Sequence, residues 1–381
     1  MAGRLSWITG VGTTTPDSSY TQDELLDAFE VTDPRVRSLF EKSAIAHRYL
    51  VLPPTGADGR RRTETQGQLL DKHRHTGLQM GAEAVRRCLA AAGAEPAQVR
   101  YLCCVTTTGL LTPGFSALLI QRLGLPPYCA RLDVVGMGCN AGLNALTAVT
   151  GWASAHPGQL AVMVCIEACS AAYVFDGTMR TAVVNSLFGD GAAAVSVLSP
   201  AGRPMAATDR ATRFPAGPRR ALDRPDRWMS RHGCPVPAVL GTSSLIVTDA
   251  IDGMRFDWDD DRNKFSFYLD PEIPYVVGAH AEMAVERLLR GTGLRRSGIA
   301  HWLVHSGGKK VIDAVRVNLG LTRHDVRHTT SVLHDYGNVS SASFLFSYER
   351  LIDERIAAHG DYGVMMTMGP GSSIELALLG W

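Results

Sequence analysis

Four short apolar runs, near residues 101–108, 132–137, 160–167 and 191–198, are each closed by glycine or polar residues and separated by helical stretches. Runs of that length read as strands buried within a sheet, and strands alternating with helices require an α/β layered fold. Between 77 and 92, Leu78, Ala82, Val85, Cys88 and Leu89 recur near helical spacing, and Gly93 supplies a stop. Thr21-Gln22-Asp23-Glu24 ahead of Leu25, Leu26 and Phe29 has the form of a capping box opening a short amphipathic helix.

The second half repeats the theme. Trp302-Leu303-Val304 reads as a strand, Gly307-Gly308 as a turn and 309–319 as a helix; 343–352 is helical, and 361–368 and 374–379 are closing strands. Residues 133–149 and 301–319 share one order of strand, reactive side chain and helix, so the chain is expected to be a duplication with halves 1–202 and 239–381. Between them, 203–238 is rich in Arg and Pro without apolar periodicity, which suits a surface loop or insertion.

Charge and composition exclude several classes. The 381 residues carry a net charge of +1 with the basic residues scattered, which gives no field for nucleic acid. No stretch approaches the roughly 18 apolar residues that span a bilayer, and the N-terminal residues lack a signal-peptide core, so a soluble cytoplasmic protein is expected. The eight cysteines lie mostly in apolar runs, as in Tyr101-Leu102-Cys103-Cys104-Val105, and form no CxxC pair; reduced, buried thiols are the expectation.

One cysteine stands apart. In Gly136-Met137-Gly138-Cys139-Asn140-Ala141-Gly142 a strand hands over to an Ala-rich helix. Glycines permit the sharp turn, and a helix N-terminus favours thiolate on the neighbouring sulfur. His305 ends the strand 302–304, and Asn338 precedes the helix at 343. Each also has a plain structural reading: Cys139 as a small residue at tight packing, His305 as a core histidine, Asn338 as a turn or cap. Together, Cys, His and Asn could supply a nucleophile and two donors aimed at one oxygen, an oxyanion site able to stabilise a thioester enolate after carbon dioxide departs. Gly189-Asp190-Gly191 and Gly369-Pro370-Gly371-Ser372-Ser373 have neither Walker nor dinucleotide spacing and read as tight turns. His73, His75, His324, His328 and His334 lack partners at metal-ligand spacing and are expected to be solvated.

These motifs, with Leu187-Phe188-Gly189-Asp190-Gly191-Ala192-Ala193, His305-Ser306-Gly307-Gly308 and Tyr336-Gly337-Asn338-Val339-Ser340-Ser341, resemble the type III polyketide synthases of the thiolase superfamily, over most of the chain. The resemblance implies a thiolase-like duplicated αβαβα layered fold, a homodimer, and a cavity reached by a CoA tunnel. It implies that malonyl-CoA loads Cys139 and that further malonyl units decarboxylate under His305 and Asn338. Four units in all would close to an aromatic dihydroxyphenylacetyl thioester, on which other pathway enzymes would then act. No metal or redox cofactor is needed. By family position Phe188 and Phe267 would gate the tunnel, and Arg48 lies in a segment near its mouth as a candidate contact for a CoA phosphate. Two departures from the plant-type pattern, Ser306 in place of proline and Met137 in place of glutamine, bear on cavity shape.

Other readings separate on single features. An initiating ketoacyl-acyl-carrier-protein synthase typically carries Gln-Ala-Asn after its histidine, where this chain has Ser306-Gly307-Gly308, and a thiolase proper needs a second late cysteine, whereas none follows Cys234. A cysteine hydrolase would cleave a thioester without releasing carbon dioxide. A non-catalytic relative would have no need of Cys139, His305 and Asn338 together.

Overall fold

The computed structural model describes residues 4–172, 179–201 and 235–381, so nearly all of the expected 203–238 insertion lies outside the described residues. In chain order the first half contains β1 (Ser6–Thr14), β2 (Ser19–Thr21), α1 (Gln22–Ala28), α2 (Pro34–Glu41), β3 (His47–Tyr49), α3 (Gln66–Ala92), β4 (Val99–Thr106), α4 (Phe115–Leu123), β5 (Ala130–Val135), α5 (Ala141–Ala155), β6 (Leu160–Glu167), α6 (Met179–Leu187) and β7 (Gly191–Leu198). The second contains β8 (Ala238–Ile246), β9 (Met254–Asp259), β10 (Lys264–Leu269), α7 (Ile273–Leu289), β11 (His301–Val304), α8 (Lys309–Asn318), α9 (Arg327–Tyr336), α10 (Ser343–Glu354), β12 (Tyr362–Gly369) and β13 (Ser373–Gly380).

Nine strands form one mixed sheet in the order β11-β12-β13-β8-β1-β7-β6-β4-β5. Its two ends repeat one pattern: a parallel pair (β4 with β6, β11 with β12), then an antiparallel strand (β7, β13), then the opening strand of that half (β1, β8). The opening strands meet at a seam of two pairs, Ser6 with Val239 and Trp7 with Ala238. Helix α5 packs on β4, β6 and β7 of its own half and on β12 and β13 of the other, while α10 touches β1, β7, β11 and β12. These two helices are the central layer. Outside, α3 covers β1, β6 and β7, and α7 covers β8 and β13, which completes the αβαβα arrangement.

Local chemistry explains the close fits. A Cβ on Gly10 or Gly12 of β1 would collide with the α3 backbone at Cys88, so only glycine lets that helix lie so near the sheet. At the centre, a Cβ on Gly142 of α5 would meet the Ser341 carbonyl and the Phe344 ring beside α10. Leu143, Leu146 and Val149 of α5 are fully buried there, each worth about 1.5–3 kcal/mol relative to exposure.

The expected strands appear as β4 to β7 and β11 to β13, and Thr21 forms its capping box with Glu24. Gly93 ends α3 at φ 65°, as the stop signal implied, but the helix begins at Gln66, where Thr65 and Gln68 form a second capping box. Its first turns are polar, so apolar spacing finds it only from 77 onward. The seven described cysteines are unpaired and buried.

Candidate active site

Gly136 (φ 82°) and Gly138 (φ 81°) turn the chain from β5 into α5, conformations that side chains with a Cβ rarely adopt. A Cβ on Gly138 would also strike the Pro370 ring between β12 and β13. Cys139, 8% exposed, is thereby set at the mouth of α5 against the other half. Its Sγ lies 3.5 Å from Ser340 Oγ, and the Asn338 side chain is a further hydrogen-bond partner.

Asn338 has a fixed orientation. Its Oδ1 accepts from the Ser340 backbone N–H at 2.8 Å, which leaves the Nδ2 hydrogens as its donors to the site. Its backbone N–H donates to Leu187 O at 2.8 Å and its carbonyl accepts from Gly189 N–H at 3.0 Å, clamping the Leu187-Phe188-Gly189 segment. His305 follows β11, is 2% exposed, and donates its backbone N–H to Met366 O at 2.8 Å. The adjoining Ser306 hydroxyl donates to Gly337 O at 3.5 Å, which joins the histidine turn to the asparagine loop. His305 Nδ1 is buried with no hydrogen-bond partner among the described residues.

Burial pushes the Cys139 thiol up to about 12, against the opposing pull of the Ser340 and Asn338 donors. It pushes His305 down to about 3. A dry pocket disfavours the charged form of each group. The helix N-terminus at α5 pulls the other way, toward thiolate.

A second set of residues reaches the sulfur through Ser340. Glu167, fully buried at the end of β6, accepts from the Thr107 N–H at 3.1 Å, from the Thr107 hydroxyl at 2.9 Å and from Ser341 Oγ. Thr107 Oγ1 lies 2.9 Å from Ser340 Oγ, which contacts Cys139. A chain of hydroxyls thus links a carboxyl to the thiol. Burial raises Glu167 to about 7, where it can give or take a proton near neutrality. Ser340 adopts φ 47° to join this chain, a strained value for serine. Sequence reading missed Thr107, Glu167 and Ser340. The one available signal was an acidic residue ending the otherwise apolar run 160–167.

Phe188 and Phe267 are buried and meet edge to face, with centroids 6.2 Å apart, in the apolar cluster that holds Cys139. A cavity of about 110 Å³ borders Phe188 and Cys169 and reaches Arg61, Arg62 and Lys264. Arg48 departs from expectation: it is 2% exposed, and its guanidinium donates to Gln22 Oε1, Asn185 O and Phe188 O. Those donors face inward, so Arg48 props the Phe188 segment and does not offer itself to a phosphate at a tunnel mouth. Burial lowers it to about 9, with Asp190 pulling the other way. Asp190 itself accepts from Ser170 and from Val51 N–H, and its glycine-flanked motif is the short irregular link from α6 into β7 in place of the expected tight turn.

Two of the five histidines expected to be solvated are not. His73 is fully buried against Phe115, with Nδ1 3.2 Å from Thr108 Oγ1, and desolvation lowers it to about 4. His328 is buried with Nε2 2.6 Å from Glu354. Among the described residues no group of three or more His, Cys, Asp or Glu side chains could hold a metal, and no helix is long and apolar enough to cross a membrane.

Comparison with known proteins adds the following. Residues 4–200 match the N-terminal domain, and residues 260–380 the C-terminal domain, of the chalcone and stilbene synthases. The chain is 60% identical over 372 residues to the 3,5-dihydroxyphenylacetyl-CoA synthase of Amycolatopsis orientalis, covering 98% of this chain and 92% of that protein. It is 60% identical over 374 residues to the enzyme of that name from Streptomyces toyocaensis, covering 98% and 90%. In fold it is similar to the crystal structure of PKS-I from the brown alga Ectocarpus siliculosus, with a TM-score of 0.84 at 23% identity over 100% of this chain and 99% of that one.

Proposed function

The chain belongs to the chalcone and stilbene synthase family, the type III polyketide synthases, and from that membership we propose that it is a 3,5-dihydroxyphenylacetyl-CoA synthase acting on malonyl-CoA. One observation carries the chemistry: the inward Asn338 amide, the partnerless His305 nitrogen and the Cys139 thiol belong to one set of joined, buried turns. The product is supported by the 60% identity to the two enzymes of that name.

In this reading neutral His305 takes the thiol proton as Cys139 attacks the malonyl thioester carbonyl, and the departing CoA sulfur recovers that proton. A second malonyl-CoA then loses carbon dioxide, leaving an enolate whose oxygen accepts hydrogen bonds from Asn338 Nδ2–H and the His305 ring. The enolate carbon attacks the Cys139 thioester, a carbon–carbon bond forms, and the sulfur leaves as the thiolate; it then attacks the CoA thioester of the lengthened chain and reloads Cys139, while the departing CoA sulfur takes a proton from solvent. Neutral donors suit this step, because they stabilise charge only as it develops. Three such extensions of the loaded malonyl unit, with loss of its own terminal carboxyl as carbon dioxide, give an eight-carbon chain from four units, and aldol closure with loss of water gives the ring. Glu167, through Thr107 and Ser340, is placed to move the protons of that closure beside the sulfur. Phe188 and Phe267 would gate entry to the site.

A homodimer is part of the proposal. Among the described residues strand β5 pairs only with β4, leaving its other edge open, and it exposes Leu132 (37%) and Val135 (43%), which a second copy would cover. Other pathway enzymes would act on the thioester product.

Mass analysis of products from malonyl-CoA alone is the test. An aromatic dihydroxyphenylacetate, lost in Cys139→Ala, is the expected result, whereas pyrones or linear chains from the unaltered protein would overturn the product assignment.

A further inference from the structure

We propose that Glu375 is a positioning residue that fixes the first turn of α5, and with it Cys139, against the hairpin carrying the His305 strand. The proposal rests on Cys139 as the nucleophile. Glu375 is a carboxylate in β13, between apolar Ile374 and Leu376, and is 5% exposed. Ser244 of β8 donates to it at 2.8 Å, and the side chains of Asn140 and Asn144 are its other partners. Those asparagines are one helical turn apart, so both face the same way from the start of α5.

Three further facts give the contact a purpose. Asn140 Oδ1 is buried without a hydrogen-bond partner among the described residues, so this side chain is held for what its amide donates. A Cβ on Gly369 would collide with Asn140, and one on Gly138 with Pro370, so the turn bearing Cys139 is seated directly on the β12–β13 hairpin. That hairpin also holds the histidine: β11 pairs with β12, and His305 N–H bonds to Met366 O. The sulfur comes from one half of the duplication and the imidazole from the other. The β12–β13 hairpin is the common reference for both, and Glu375 is its polar tie to the nucleophile's helix.

The test uses Glu375→Leu and Glu375→Gln in the full chain. Leucine removes the acceptors but keeps the bulk, and kcat should fall by on the order of tenfold to a hundredfold, the cost of small misplacement in an active site. KM for malonyl-CoA should hold, and Cys139 should react with iodoacetamide at the unaltered rate. Glutamine should recover most of kcat, because its carbonyl can accept from the asparagines while the Ser244 hydroxyl turns to accept from its amide. Should Glu375→Leu fail to fold, Asn144→Leu cuts the same tie from the helix side and should give the same loss of kcat. Unaltered kcat in Glu375→Leu, faster alkylation showing general loosening, or a Gln variant as poor as Leu would each overturn the inference. Activity surviving in Cys139→Ala would instead overturn the functional reading beneath it.

Discussion

Glu167→Gln tests whether the buried carboxyl behind Cys139 is an acid poised near neutrality. Its value rises from 4.5 to about 7 because burial penalises the charge more than its donors relieve it. Every pH unit of that rise is worth 1.36 kcal/mol, so ionised Glu167 costs the folded protein about 3 kcal/mol. The sign follows from proton counts: between about 4.5 and 7 the folded state binds the extra proton, so stability falls as pH rises through this window and levels off above it. Glutamine offers similar hydrogen bonds without the charge, with its oxygen toward Thr107 and its amide toward the Ser341 hydroxyl. The stability gap between variant and unaltered protein should therefore grow by about 3 kcal/mol from about pH 4 to about pH 8. At roughly 2.1 cal/mol/K per residue over 381 residues, that corresponds to about 4 °C in melting midpoint. His305 titrates the opposite way, adding stability as pH rises from about 3 to 6.5, but it is common to both proteins and drops out of the difference. Melting both across that range by circular dichroism is the assay. A gap that stays constant would refute the account of Glu167 as a desolvated acid.

His305→Ala and Asn338→Ala should each slow carbon dioxide release from malonyl-CoA by about 10²–10³, the usual cost of an oxyanion donor, with Cys139 still open to iodoacetamide; release at full rate in both would defeat the oxyanion assignment. Gly142→Ala should cost about 1–3 kcal/mol by urea titration, because the added methyl meets the Ser341 carbonyl and the Phe344 ring between the two central helices. Arg48→Met should cost about 1–3 kcal/mol, because it removes a buried donor from Gln22 Oε1, Asn185 O and Phe188 O; unchanged urea stability would contradict its role as an internal post.

Sequence carried the strands and the three polar residues of the site well, because strand ends and glycine turns leave local marks. Cys139 was set apart by Gly136 and Gly138, whose positive φ the structure shows. What sequence could not carry was assembly. Thr107, Ser340 and Glu167 share hydroxyl contacts from positions far apart in the chain, and no periodicity predicts such a meeting. Arg48 and His73 were misread for a related reason: a charged or titratable residue in a polar stretch looks solvated until tertiary packing closes over it. Strand β1 escaped notice because Gly10 and Gly12 weaken its strand character, and their cause, the α3 backbone at Cys88, is more than seventy residues downstream.

Strand β1 also has a consequence for how the protein is made. It leaves the ribosome long before its sheet neighbours, for it sits in mid-sheet between β7, which begins at Gly191, and β8, which begins at Ala238. At synthesis rates of about 5–20 residues per second, it waits on the order of ten seconds or more for its neighbours, with both edges open. A valine-rich strand left that long would be a template for pairing with other nascent chains. The two glycines that let α3 settle on the finished sheet also make the waiting strand less adhesive, so one local choice serves both the mature core and the growing chain.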